Sequence, residues 1–239
     1  MIENRNRVSP PSPPSPRSPG RLLPYPAPRI ASTSSAQVGS PNDLIWELTE
    51  HADRYTGDQH ITLYAVPSMI RTCIDRIRVR VIRGAHKPSV SLALSAAIGC
   101  GIEDLLASDD VQALLHLKNR VDLLGEDGSP GAQYLNEVSG VLRHFPLSIT
   151  DTSMASERKT HLMMSQGIKL IVGNLANDLG TSFSSLCVLA AMIALADQPC
   201  TLSTHREALM NTVEDFYLRV RVRRRLVEAL VETLGPQTE

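Results

Sequence analysis

Residues Ile61–Leu106, ITLYAVPSMIRTCIDRIRVRVIRGAHKPSVSLALSAAIGCGIEDLL, decide how this chain is read. Ile61–Val66 is rich in β-formers, and Pro67 suits the first turn of a helix, where a backbone N–H has no intrahelical partner to lose. From Ser68 to Ile82 the residues Met69, Ile70, Cys73, Ile74, Ile77 and Val81 recur at spacings of three and four, which gathers them on one stripe of a helix. Arg71, Arg76, Arg78, Arg80 and Arg83 take up much of the remaining surface, and Gly84 terminates the pattern. Ser89 or Ser91 then caps a second helix holding Leu92, Leu94, Ala97, Ile98 and Ile102. Ala96, Gly99 and Gly101 are small enough to let another helix approach closely, although glycine weakens a helix. The stretch predicts strand, helix, helix.

A weaker version of this order recurs between Lys159 and Asp197. Arg158–Met164 reads as a strand, and Gln166–Leu179 as a helix stopped by Gly180. Ser182 or Ser184 caps a further helix that runs through Ala196. Ile70, Cys73, Ile74, Ile77 and Val81 match Ile168, Ile171, Val172, Leu175 and Leu179 at a constant offset of 98. The second helices match at an offset of 94, with Ser91, Ala97 and Ile98 against Ser185, Ala191 and Met192. Many helical hairpins match this loosely, so the order of elements is the more specific part of the likeness.

Around these segments, Asn42 or Asp43 caps a helix through Arg54 with Leu44, Ile45 and Leu48 on one side and Trp46 as its anchor. Ser108 opens a helix with Asp109 and Asp110 at its positive end and the stripe Val111, Leu114, Leu115, Lys118, Val121 and Leu124. A helix over Ala132–Phe145 and a polar connection over Ser148–Glu157 follow. Thr204 and Glu207 have capping-box spacing. A long helix with Leu209, Met210, Val213, Phe216, Tyr217, Val220, Leu230 and Leu234 comes after them, and it contains the basic run RVRVRRR. The expected organisation is a Pro/Ser-rich disordered arm over 1–41, a first strand-helix-helix unit with flanking helices over 42–147, and a second over 148–239. The fold class is mainly α with a short β-ribbon: tandem ribbon-helix-helix-like units plus additional helices.

Bulk composition sets limits on this reading. The chain is 42% hydrophobic but only 4% aromatic, so its core is aliphatic. Net charge is -1. Up to Ser40 there are five arginines and one acid, which leaves 24 acidic against 19 basic residues for the rest. A nucleic-acid surface on that part is therefore a local patch. Cys73, Cys100, Cys187 and Cys200 form no CxxC pair and read as buried thiols in a reducing compartment. No uninterrupted stretch reaches membrane-spanning length and no secretory signal core opens the chain, so a cytoplasmic protein without a membrane partner is expected.

The strand, proline and helix of ITLYAVPSMIRTCIDRI, followed by KPSVSLALSAAI, resemble the ribbon-helix-helix family of DNA-binding proteins. The likeness covers about a fifth of the chain in the first copy and less in the second. It implies an intertwined two-fold unit in which two antiparallel strands enter the major groove of double-stranded DNA while four helices form the core. It also implies that each second helix offers its N-terminal amides to backbone phosphate. Lys87, Ser89 and Ser91 are then the phosphate-side candidates, with Thr181 and Ser182 as counterparts. The chain either forms this unit internally, as a pseudodimer, or pairs with a second copy in a homodimer.

The strand register stays open in the sequence. Counting back from Pro67 by the motif turns Ala65, Leu63 and Ile61 outward, and these cannot make base-discriminating hydrogen bonds. The opposite register exposes Thr62 and Tyr64, because a slip of one residue reverses the faces of a strand. In the second copy, which lacks the proline, Lys159 and His161 face outward, with Met163 less useful. Base contacts are accordingly expected from Lys159 and His161, with Thr62 and Tyr64 in the alternative register. Phosphate contacts are expected from Arg71, Lys87, Ser89, Ser91, Ser182 and Arg223. Arg219, Arg221, Arg224 and Arg225 either join them or pair with Glu214, Asp215 and Glu228.

Signals for other chemistry are weak. The seven histidines are scattered, and no metal ladder, phosphate loop, dinucleotide fingerprint or nucleophile elbow is present. No cofactor and no catalytic residues are assigned, and the chain is not read as an enzyme. The alternative to DNA binding is a non-enzymatic interaction or assembly subunit that uses its ribbon to oligomerise and its patches to hold a protein partner.

Overall fold

The computed structural model describes residues 43–64, 66–81, 87–126 and 159–234. The Pro/Ser-rich arm, the helix expected over 132–145, the connection expected over 148–157, Ala65 and Arg83 all lie outside the described residues. The described chain is mainly helical with one small antiparallel sheet. Its order is α1 (Leu44–Glu50), a short 3-10 turn (Ala52–Arg54), β1 (Gln59–Leu63), α2 (Ser68–Arg78), α3 (Val90–Ala107), α4 (Asp109–Glu126), β2 (Thr160–Met164), α5 (Gln166–Asp178), α6 (Phe183–Ala196) and α7 (Ser203–Leu234).

The sheet pairs strands from the two segments of one chain. Gln59 lies opposite Met164, Ile61 opposite Leu162 and Leu63 opposite Thr160. Both strands carry the same alternation of burial, so Ile61, Leu63, Leu162 and Met164 face inward. This corrects the outward register counted from Pro67 in the first strand. Residues Tyr64–Pro67 separate β1 from α2, whereas Ser165 alone separates β2 from α5. The longer connection changes which strand residues face the core while leaving the helix stripe unchanged.

The centre of the molecule is α3 against α6. Every residue from Ala93 to Ile102 and from Leu186 to Ala196 is buried. Gly101 is required where these helices meet, because a Cβ there would run into the Ala190 carbonyl. By length and composition alone Val90–Ala107 also matches a bilayer span, with a mean hydropathy of 1.6, although no uninterrupted stretch of that length was expected. In the fold most of that helix is covered by the chain's own residues. Helix α2 adds Ile70, Cys73, Ile74 and Ile77, and α5 adds Val172, Leu175 and Ala176. Residues of 42–147 and 148–239 thus contribute to one continuous core rather than two.

Local chemistry accounts for most helix starts. Asp43 caps α1, Ser89 caps α3, Ser165 caps α5 and Ser182 caps α6, each accepting from amides of the first turn. The buried Gln198 side chain accepts from Leu44 N–H at 3.2 Å and donates to the Ala194 carbonyl at 2.9 Å, which ties the start of α1 to the end of α6. The caps of α3 and α6 lie 93 residues apart, Ser89 to Ser182, one fewer than the offset read from the sequence. Three further expectations are corrected. Helix α2 ends at Arg78, short of Ile82, and a tighter turn in which Arg80 N–H bonds the Ile77 carbonyl carries the chain past exposed Val79 to buried Val81. Trp46 is 41% exposed and edge-on to His51, and Leu44 and Leu48 anchor α1 instead. Helix α7 begins at Ser203, so Thr204 lies inside it and does not cap it.

Candidate nucleic-acid interface

Alternation along the ribbon leaves one polar face turned away from the core. It carries His60, Thr62 and Tyr64 from the first strand segment, with Lys159, His161 and Met163 from the second. His60 is opposite Met163 and Thr62 is opposite His161, with Thr62 Oγ1 and His161 Nδ1 3.0 Å apart. Lys159 Nζ sits 5.6 Å from the centroid of the Tyr64 ring, within reach of a cation–π attraction. All four residues expected at base edges therefore share this face as neighbours.

The ends of the ribbon are pinned to the starts of the two central helices. Tyr64 N–H donates to Ser184 Oγ at 2.8 Å, and the Ser184 hydroxyl lies 3.2 Å from the Tyr64 carbonyl. Met163 N–H donates to Ser91 Oγ at 2.6 Å. Ser91 and Ser184 are each the second residue of their helix, so the same device is used at both ends. The half-buried Ser91 hydroxyl is thus engaged with the ribbon backbone. Ser184 carries no sequence signal for this contact, because a serine near a helix start reads first as a cap.

Ser89 and Ser182 cap the same helices beside these pins. Ser89 Oγ accepts from Leu92 N–H at 3.0 Å, and Ser182 Oγ accepts from Ser185 N–H at 3.1 Å. Both serines are exposed, at the positive ends of helices that run 18 and 14 residues. Thr181 is half-buried next to Ser182, and Lys87 is exposed two residues before Ser89. Arg71 and Arg80 are exposed on and just beyond α2. Other members of the first basic cluster hold the fold: Arg76 donates to the Cys200 carbonyl at 3.3 Å, and Arg78 to the Pro88 carbonyl at 2.6 Å and to Asp75 at 2.8 Å.

The second cluster divides between surface ion pairs and one buried arginine. Arg224 and Arg221 approach Asp110 of α4 at 3.1 and 3.8 Å, Arg224 also reaches Glu228 at 3.3 Å, and Arg219 pairs with Asp215 at 2.7 Å. Arg223, expected at phosphate, is 3% exposed, and its guanidinium donates to the Leu179 carbonyl beside Gly180, whose φ is +61°. Burial pulls its pKa down to about 10. The four cysteines are free thiols buried in the core, and burial pushes Cys100 and Cys187 up to about 12. Among the described residues no group of three His, Cys, Asp or Glu side chains is placed to hold a metal ion.

Comparison with protein-family models, with curated proteins and with solved structures finds no match.

Proposed function

We propose that this chain binds double-stranded DNA sequence-specifically, as a transcriptional regulator or DNA organiser, through the exposed face of its ribbon. The observation that carries the reading is the alternation along paired strands. Four apolar side chains fix the ribbon to the core, while Thr62, Tyr64, Lys159 and His161 stand together on the other side. A two-stranded ribbon fits the major groove, where donors and acceptors distinguish the base pairs. Lys159 and His161 are the base-edge residues in this reading, and Thr62 and Tyr64 complete the face. The exposed N-termini of α3 and α6 at Ser89 and Ser182, with Lys87 and Arg71, meet backbone phosphates. Ser91 orients the ribbon, and Arg223 is left out of the contact set because it is buried. One chain supplies both strands, so the binding unit is a pseudodimer. The ribbon-helix-helix family supplies the analogy for this arrangement.

A second reading is favoured by the small charge of the face, where Lys159 is the only lysine or arginine among the described residues. In that reading the ribbon and the exposed arginines hold a protein partner, and the chain is an assembly subunit without enzymatic activity. One experiment separates the two. Purified full-length protein is used to select from a random duplex library at several salt concentrations, and retained duplexes are titrated against scrambled ones. DNA reading predicts selective retention that weakens with salt. It also predicts that Lys159→Ala/His161→Ala loses selectivity by about tenfold or more while the thermal melt is unchanged. Absence of selective retention at the lowest salt rejects DNA reading in favour of the assembly role.

A further inference from the structure

Helix α7 is 32 residues long and has two contrasting sides. Leu209, Val213, Phe216, Val220 and Val227 bury one side in the core. On the opposite side Asn211, Asp215, Leu218, Val222, Arg225 and Ala229 are all exposed. They recur at spacings of four and three, which keeps them within about 80° of one another round an axis of 3.6 residues per turn. Leu218 is 54% exposed and Val222 42%, so two large aliphatic side chains stand in water one turn apart. Isolated exposed aliphatics are ordinary on a surface. An apolar centre with ordered charges on either side, at heptad spacing, is the pattern of a helix that pairs with another.

The order of this face is self-complementary end for end. Reversed about the level of Val220, Leu218 meets Val222, Asp215 meets Arg225, and Asn211 meets Ala229. Two copies of α7 laid antiparallel therefore bring the apolar residues together at the centre and set an acid against an arginine on each side of them. Laid parallel and in register, they bring Asp215 to Asp215 and Arg225 to Arg225, where like charges repel. Among the described residues Arg225 makes no ion pair. Asp215 meets Arg219 through one carboxylate oxygen at 2.7 Å, which leaves its other oxygen for a second cation. Arg219 and Arg221 flank the centre, and each is drawn to an acid of its own chain, Asp215 and Asp110. A single helix face about 27 Å long falls at the small end of specific interfaces, under about 1,200 Å², so the contact is weak and reversible.

We propose that the outer face of α7 is a self-association surface whose partner is a second copy of this chain, joined antiparallel about a twofold axis at the level of Val220. Its dissociation constant is about 100 µM. Up to about 10 µM the protein is then mainly monomeric, and the contact adds nothing measurable to folding stability. The surface shares no residue with the ribbon face and stands or falls apart from the DNA reading.

The test is sedimentation equilibrium of the full chain from about 5 µM to about 1 mM. The mass should rise from one chain to two across that range. Val222→Lys should weaken association about tenfold or more. Asp215→Arg alone and Arg225→Asp alone should each do the same, because each sets like charges together at both ends of the contact. Mixed in equal amounts, these two variants should form a heterodimer within about threefold of the original affinity, since both ends again pair opposite charges. Thermal melts confirm that each variant is folded; should a charge variant fail to fold, Val222→Lys decides. A mass of one chain throughout, association indifferent to Val222→Lys, or a mixture that associates no better than its parts each overturns the proposal.

Discussion

Arg223 shows how one side chain changes role between a linear and a folded view. It sits in a run of arginines, and a charged run on a helix ordinarily faces water. Yet Leu209, Val213, Phe216, Val220 and Val227 form the buried stripe of α7, and Arg223 falls on that stripe between the last two. Its guanidinium meets the carbonyl end of α5 at Leu179, where the macrodipole favours a cation and the last carbonyls lack helical partners. Truncation leaves both a cavity and an unmet acceptor. Arg223→Ala should therefore lower the unfolding free energy by about 2–4 kcal/mol in urea titrations. Arg223→Met, which keeps most of the volume but leaves the same acceptor unmet, should cost less than the alanine variant, about 1–2 kcal/mol. Arg71→Ala on the exposed side of α2 should stay within about 0.5 kcal/mol. Equal melts for the Ala and Met variants would show that filling the site contributes nothing. The stripe could be read from the sequence at its 3.5-residue period; the charge on Arg223 concealed that it belonged there.

At the scale of elements, the ribbon register decides which chemistry faces out. The strands align Ile61 with Leu162 and Leu63 with Met164, an offset of 101, whereas the helix stripes align at 98. That odd difference swaps the two faces of β1 relative to a count made from Pro67. Inward Leu63 is 0% exposed, and its neighbour Thr62 is on the far face. Leu63→Lys should cost about 3 kcal/mol or more, because it strands a charge in the core. Thr62→Lys should change stability by about 0.5 kcal/mol or less. Thermal and urea unfolding of the pair checks the register; comparable losses at both positions would refute it. Of the candidate site, Lys159 and His161 were legible because β2 joins α5 through a single residue. Thr62 and Tyr64 were legible only as one of two alternatives. The hydroxyl pins at Ser91 and Ser184 were not legible, since each joins residues more than 70 positions apart.

For the whole molecule, pairing within one chain makes folding unimolecular. The unfolding midpoint should not shift over about a hundredfold range of protein concentration, whereas strands shared between chains would make it rise with concentration. Sedimentation in the same buffer gives the mass of the folded species and checks the same point. What the sequence determined by itself is what local periodicity encodes: the two strand-helix-helix segments, the stripes of α2 and α5, each of the caps of α1, α3 and α6 to within a pair of residues, and the burial of all four thiols. Tertiary structure alone decided that β1 pairs with β2 in the same chain, which face of β1 is outward, and that Arg224 meets Asp110 while Arg223 meets the Leu179 carbonyl. The physical reason is range. Spacing along a helix or strand states which residues share a side, but the direction of that side and the partner opposite it depend on contacts from distant parts of the chain.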